Sequence, residues 1–170
     1  PDKHEPGLVV HTAGWPLSES GSTGGGFLYH LENGQVYVGL ITDLSYSNPY
    51  VSPFEEFQRM KTHPTIKQHL EGGKRVSYGA RAITKGGYNS LPRMHFPGGL
   101  LLGCDAGTLN SSKIKGSHTA MKSGMLGAEA VFEAIQKGSE GGDDLTTFAE
   151  KFENSWLFRE LFQERNFSPA

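Results

Sequence analysis

The residues best suited to chemistry lie between Gly103 and Thr119. Gly103-Cys104-Asp105-Ala106-Gly107 is a glycine-rich turn that follows the apolar run Leu100-Leu101-Leu102, which reads as a short buried strand. A polar connection through Asn110 leads to Lys113-Ile114-Lys115-Gly116 and to a long helix opening near Ser117-His118-Thr119. Strand, tight turn and helix start together present backbone N–H groups to an anion or to a polar ring. Cys104 is the one cysteine, which excludes an internal disulfide and a cysteine-built metal site. No base is identifiable near it, so it reads as a packed small residue rather than a nucleophile. No histidine forms a helical i, i+4 pair with a carboxylate of the kind that holds a metal.

The whole chain bounds these ideas. It has 170 residues, 36% of them hydrophobic and 20% charged, which suits a soluble globular protein with one good core, or one and a half small ones. A net charge of −2 without a Lys/Arg cluster argues against a nucleic-acid partner. No run approaches membrane-spanning length, and no signal peptide is visible. A reducing compartment is the default for a lone cysteine. The chain opens on Pro1 and ends just after a strongly apolar helical pattern, so it is expected to be a piece of something larger. Paired glycines recur at 24–26, 72–73, 86–87, 98–99 and 141–142 without a period, so they are not repeats.

The elements that must position the candidates follow from spacing. Leu8 to Thr12, Phe27 to Leu31 and Val36 to Ile41 read as strands. Glu32-Asn33-Gly34-Gln35 between the last two carries the Asn-Gly signal of a type I′ hairpin. Gly24-Gly25-Gly26 reads locally as a hairpin-entry loop. Ser52-Pro53-Phe54-Glu55 is a capping box with proline at the first helical position, and Phe54, Phe57 and Met60 follow at helical spacing. Pro64 starts a second short helix with Ile66 and Leu70, stopped by Gly72-Gly73. Lys74 to Ile83 and Tyr88 to Met94 are expected to be strands. From Ser117 to about Lys137, Met121, Met125, Ala128, Phe132 and Ile135 form one apolar stripe, with Ala120, Gly124 and Gly127 as a small-residue face beside it. Gly138 stops this helix. Gly141 to Asp144 is a linker ending in capping aspartates, and a last helix is expected over about 145–163 with Phe148, Phe152, Trp156, Leu157 and Leu161 on its apolar face.

The order of elements predicts an α+β domain, an antiparallel-rich sheet with helices, over residues 1–95. The strand–helix tail of an α/β nucleotide-binding domain follows over 96–138, then a linker and C-terminal helix over 139–170.

Several blocks together resemble the electron transfer flavoprotein–ubiquinone oxidoreductase family. They are His11-Thr12-Ala13-Gly14-Trp15-Pro16-Leu17, Gly24-Gly25-Gly26-Phe27-Leu28-Tyr29-His30, and Asn48 to Arg59. Leu70 to Arg75, Tyr78 to Ala82, Phe96 to Leu100, Gly103-Cys104, Lys113 to Gly124, Asn154-Ser155-Trp156 and Arg165-Asn166 continue the resemblance over nearly the whole chain. The central stretch is similar to the second flavin-contacting motif of large flavoproteins, where a strand ends in Gly-Asp. Here the position reads Gly103-Cys104, with Asp105 one residue late, and cysteine there fits this family's pattern. The resemblance implies passage of electrons from reduced electron transfer flavoprotein through FAD and a 4Fe–4S cluster to ubiquinone. It implies a peripheral protein of the bacterial cytoplasmic membrane or the matrix side of the mitochondrial inner membrane, in contact with the membrane surface. Two adjacent glycines that touch the quinone head group in the family fall on Gly24 and Gly25. The flavin wall falls on Gly103, Cys104, Asp105, Asn110, Lys115, Gly116, Ser117, His118 and Thr119. No GxGxxG fingerprint and no group of four cysteines occurs here, so the pyrophosphate half of the FAD site and the cluster ligands are expected outside this chain. The piece itself is expected to be soluble and inactive alone.

Plainer readings stand beside these. His118 fits helix capping as well as flavin contact, and Lys113 and Lys115 fit solvated loop charges as well as flavin-side groups. A geranylgeranyl-reductase-like flavoprotein acting on an isoprenoid, and a standalone quinone- or lipid-binding module, are the alternative functions.

Overall fold

The computed structural model describes residues 3–167. The chain divides into two compact units, Pro1–Tyr78 and Gly79–Ala170. Each is described by itself.

The first unit is built on a three-stranded antiparallel sheet in the order β1 (Val9–Ala13), β2 (Gly24–His30), β3 (Val36–Thr42). The β2–β3 hairpin forms as the Asn-Gly signal requires. Asn33 (φ 58°) and Gly34 (φ 71°) both take positive φ, and the Gln35 N–H donates to the Glu32 carbonyl at 3.3 Å. Gly24-Gly25-Gly26 is not a loop. All three residues lie inside the central strand, with Ala13 and Ile41 flanking Gly25 in register. Side chains alternate along the strand, so Gly26, Leu28 and His30 share the buried face. Helix α1 (Pro53–Thr62) covers that face, with Met60 seated against Gly26. The Ser52 hydroxyl accepts from the Glu55 N–H at 3.4 Å, as the capping box predicts. His63 closes α1 and opens α2 (Pro64–Leu70), its Nδ1 accepting from the Thr65 N–H at 3.3 Å. Leu17, Leu28, Met60 and Ile66 form the buried apolar centre.

His30 adds a pH-sensitive element to this unit. Its Nδ1 accepts the Glu5 N–H at 2.9 Å, so the neutral ring carries its proton on Nε2, which is buried without a partner among the described residues. The ring lies between His4 (stacked, 4.9 Å) and His69 (edge-on, 4.9 Å). Burial first, then the neighbouring His69 and His4, holds its pKa below the ordinary 6.5. A group whose folded pKa is depressed contributes stability that is complete above its unfolded pKa and is lost as pH falls below it. Thermal melts of this unit should therefore shift downward as pH drops below about 6.5. His30→Gln, which keeps an acceptor for Glu5 but does not titrate, should flatten that slope; an unchanged slope would refute the assignment.

The second unit packs α3 (Ser117–Gln136), α4 (Thr146–Glu153) and α5 (Trp156–Gln163) around Met94, Leu126, Ala130, Phe148, Phe152, Leu157 and Leu161. A two-residue ladder joins β4 (His95–Phe96) to β5 (Gly99–Leu100), antiparallel like the first sheet. Several expectations are corrected here. Lys74 to Ile83 is exposed and forms no ladder, and Tyr88 to Met94 opens with a 3₁₀ turn at Tyr88–Ser90. These runs alternate loosely, but no neighbouring strand pairs with them among the described residues. Only Leu100 of the apolar triplet is in a strand; Leu101 and Leu102 are exposed. The single last helix is two helices, because Ser155 takes extended backbone and caps α5, accepting the Phe158 N–H on Oγ at 3.3 Å. Phe148, Phe152, Leu157 and Leu161 are buried as expected, but Trp156 is partly exposed. Asp144 does not cap α4; it pairs with Arg93 and with His95 Nδ1 (2.5 Å).

Helix α3 has the expected length and the Gly138 stop (φ 88°), but it buries a different face. Thr119, Ser123, Leu126, Gly127 and Ala130 face the core, while Met121, Met125, Phe132 and Ile135 are exposed. Small residues suit the buried side because the packing is close. A Cβ on Gly127 would stand 3.0 Å from the Leu102 side chain.

Candidate functional site

The turn after β5 and the start of α3 come together as one wall. Gly103 (φ 76°) leads into a 3₁₀ turn at Cys104–Ala106, and its N–H donates to the Ser123 hydroxyl at 2.9 Å. Ser123 in turn donates to the Ala120 carbonyl, which ties the turn to the first part of α3. Cys104 Sγ lies against the Cα of Gly116, so closely that any Cβ at 116 would overlap the sulfur. The glycine is therefore what lets the turn approach the helix. Gly116 precedes Ser117, His118 and Thr119, and no side chain caps these first residues. Their N–H groups have no intrahelical acceptor, because the i−4 carbonyls lie outside the helix. With the helix dipole they form a patch of partial positive charge. Thr119 turns inward and donates to the Gly116 carbonyl at 2.9 Å. Thr108, fully buried one residue after the turn, has a hydroxyl without a partner among the described residues.

A second layer holds this wall from α5. Asn110 and Lys115 exchange backbone hydrogen bonds (3.0 and 3.2 Å), closing a loop through Ile114 (φ 56°). The Asn110 amide donates to Glu160 Oε1 at 2.8 Å, and Lys113 Nζ donates to Glu160 Oε2 at 2.8 Å. His118 Nε2 lies 2.8 Å from Glu160 Oε1, and the imidazole stacks on Trp156 at 5.9 Å. Burial raises the Glu160 pKa, but the hydrogen bonds from Lys113, Asn110 and His118 outweigh it and bring the carboxyl down to about 2. Glu160 is therefore ionised at neutral pH.

The sequence-predicted flavin residues are thus largely gathered. Gly103, Cys104, Asn110, Lys115, Gly116, Ser117, His118 and Thr119 lie on one turn, one loop and one helix start. Asp105 differs. Its side chain is exposed, and it makes a loose surface ion pair with Arg81 at 3.7 Å. Lys115 Nζ donates to the Ile114 carbonyl at 3.3 Å. His118 is neither a cap nor free. Thr108, Trp156 and Glu160 were missed. Trp156 and Glu160 are one helical turn apart, and that i, i+4 pairing was the available signal.

Gly24 and Gly25 lie in the first unit, on opposite faces of β2. A Cβ on Gly24 would overlap the Ile41 carbonyl oxygen, and one on Gly25 would overlap the Thr12 carbonyl oxygen. Gly25 shares the outer face of the sheet with Ala13, Phe27 and the half-exposed Ile41. On that face the end of the Phe27 ring occupies the space a Cβ on Gly39 would need.

Residues 1–83 match the family model described as "ETF-QO, ubiquinone-binding". The whole chain is 69% identical over 170 residues to the electron transfer flavoprotein-ubiquinone oxidoreductase of Pseudomonas aeruginosa, covering 31% of that protein. It is 62% identical to the probable electron transfer flavoprotein-ubiquinone oxidoreductase of Acinetobacter baylyi, covering 33% of it. It is 50% identical, over 98% of its length, to the mitochondrial protein of that name in Homo sapiens, covering 28% of it. The chain belongs to the electron transfer flavoprotein-ubiquinone oxidoreductase family, and it spans about a third of the length of the curated relatives it matches.

Proposed function

We propose that the chain is part of an oxidoreductase that passes electrons from electron transfer flavoprotein, through FAD, to ubiquinone. The observation that carries this reading is the helix start at Ser117–Thr119. Its uncapped N–H groups stand beside a turn whose Cys104 sulfur fills the space a Cβ at Gly116 would need. The donor set fits a flavin. Uncapped N–H groups suit the polar edge of an isoalloxazine ring, and the partnerless Thr108 hydroxyl leaves one buried donor to be satisfied. When bound, FAD would supply the electron-carrying chemistry. What the chain's residues do is hold and tune. The α3 dipole would favour negative charge on a ring edge held there, Ser123 fixes the turn through Gly103, and Thr119 keeps the helix start in register.

The single cysteine cannot supply the four thiolates of a 4Fe–4S cluster, so no step through that cluster is assigned to these residues. No helix among the described residues is long and apolar enough to cross a membrane. A peripheral position on the bacterial cytoplasmic membrane or the mitochondrial inner membrane remains part of the proposal, as does the assignment of residues 1–95 to quinone binding and 96–138 to the FAD domain.

Quinone binding is assigned to Gly24 and Gly25 as part of this proposal. Their Cβ positions are filled by the Ile41 and Thr12 carbonyl oxygens, so the sheet needs these glycines as well. The surface offered to a ring is the outer face at Gly25. Ile41 is the informative test, because it lies beside Gly25 on the outer face and its exposure makes substitution harmless to the core. In the full-length enzyme, Ile41→Gln should raise the apparent KM for ubiquinone roughly fivefold, through loss of about 1 kcal/mol of apolar contact. Flavin content should stay unchanged. An unaltered KM would remove the quinone from this face.

A further inference from the structure

We propose that Glu160 is a positioning residue that holds His118 and the 110–115 loop at the start of α3 and, through its charge, sets the reduction potential of a flavin bound there. The inference rests on the flavin-wall reading above.

Two independent features converge on this carboxylate. The first is its set of donors. Asn110, Lys113 and His118 each reach it at 2.8 Å, and they come from both structures that build the wall, the closed loop and the helix. Asn110 is itself almost fully buried, and its Oδ1 accepts from the Lys113 N–H (3.1 Å) and the Ser112 hydroxyl (2.9 Å). A change at Glu160 therefore acts on the whole loop. The second feature is the ring stack. Trp156 and Glu160 are one turn apart on α5 and grip His118 by its face and by its Nε2. With Nε2 committed to the carboxylate, the imidazole has one orientation at the second position of α3.

The arrangement also balances charge. A carboxylate near a helix start opposes the positive end of the dipole, and Lys113 beside it restores that charge. Reduction adds negative charge to the bound ring, so removing Glu160 should favour the reduced form and removing Lys113 should disfavour it.

The test uses the full-length, flavin-loaded parent enzyme with Glu160→Gln, Lys113→Gln and Gly116→Ala, reading flavin content, visible spectrum and midpoint potential. The expected result is a shift to higher potential for E160Q and to lower potential for K113Q, both with normal flavin content. A merely structural clasp would lower thermal stability in both variants without moving the potentials in opposite directions, and that outcome overturns the proposal. K113Q keeps the Asn110 and His118 bonds to Glu160, so it remains informative if E160Q does not fold; an unshifted potential there also overturns it. G116A separates the two levels. If it perturbs the flavin spectrum while E160Q and K113Q leave the potential alone, the positioning role fails and the flavin wall stands. If none of the three touches the flavin, the wall reading fails as well.

Discussion

A Gly25→Val variant of the full-length enzyme is expected to destabilise the Val9–Thr42 sheet, and with it to lose the quinone reduction proposed above. The cause is steric and lies in the backbone. A Cβ at 25 would overlap the Thr12 carbonyl oxygen and approach Ala13 Cα at 3.3 Å, and neither atom can rotate away as a side chain would. Strand β2 is central, paired with β1 on one side and β3 on the other, so relief requires opening one ladder. Overpacking that displaces backbone costs on the order of 3 kcal/mol, a large share of a small unit's stability. The expected reading is a sharp loss of soluble protein or a fall in the melting temperature, checked by thermal denaturation alongside activity. Normal stability with lost quinone reduction would instead show that the glycine serves the ligand alone. This is why Ile41 tests the quinone proposal better than Gly25 does: a defect at Gly25 mixes the sheet's need for glycine with the ligand's.

The contrast between those two positions also marks what the sequence made legible. The hairpin at Asn33-Gly34 and the Ser52 cap were readable because turn and cap chemistry is local: two positive φ angles, or one hydroxyl three residues before an N–H, fix the geometry. The glycine run reads as a loop because composition does not reveal that one neighbouring carbonyl oxygen crowds the Cβ position of Gly24, another that of Gly25, and the Met60 sulfur that of Gly26. Helix α3 was legible in extent but not in orientation. Its apolar stripe marks a face that avoids water, yet the face buried in this unit is the one carrying Thr119, Ser123 and Gly127. Periodicity reports that a face is apolar and is silent on what covers it. The site divides along the same line. The turn, loop and helix start were found because glycines and a helix N-terminus are local signals. Glu160 was not, because its three partners lie 42 to 50 residues away in the chain.

The second large effect belongs to the pair Cys104 and Gly116. Gly116→Ala places a methyl group in the space held by Cys104 Sγ and within 3.1 Å of Leu109 Cδ1, so either the Cys104 side chain must swing away or the turn and the helix start must separate. The expected cost is about 1–3 kcal/mol, together with loss of flavin from the full-length enzyme, measured by denaturant titration and by absorbance of the purified protein. Cys104→Ala alone removes the sulfur and should cost less, since a small residue remains in place. The combined variant, with alanine at both positions, is the decisive one. The new methyl occupies the volume the sulfur left, so stability and flavin content should recover most of what Gly116→Ala lost, and the two changes should be strongly non-additive. Additive losses would mean that Gly116 is needed for its own backbone freedom. That alternative is weak on geometric grounds, because its φ of −132° is open to any residue. The glycine at 116 and the cysteine at 104 are then one structural decision: a small sulfur-bearing residue on the turn and no side chain on the helix start, which brings the N–H groups of Ser117 to Thr119 up to the turn.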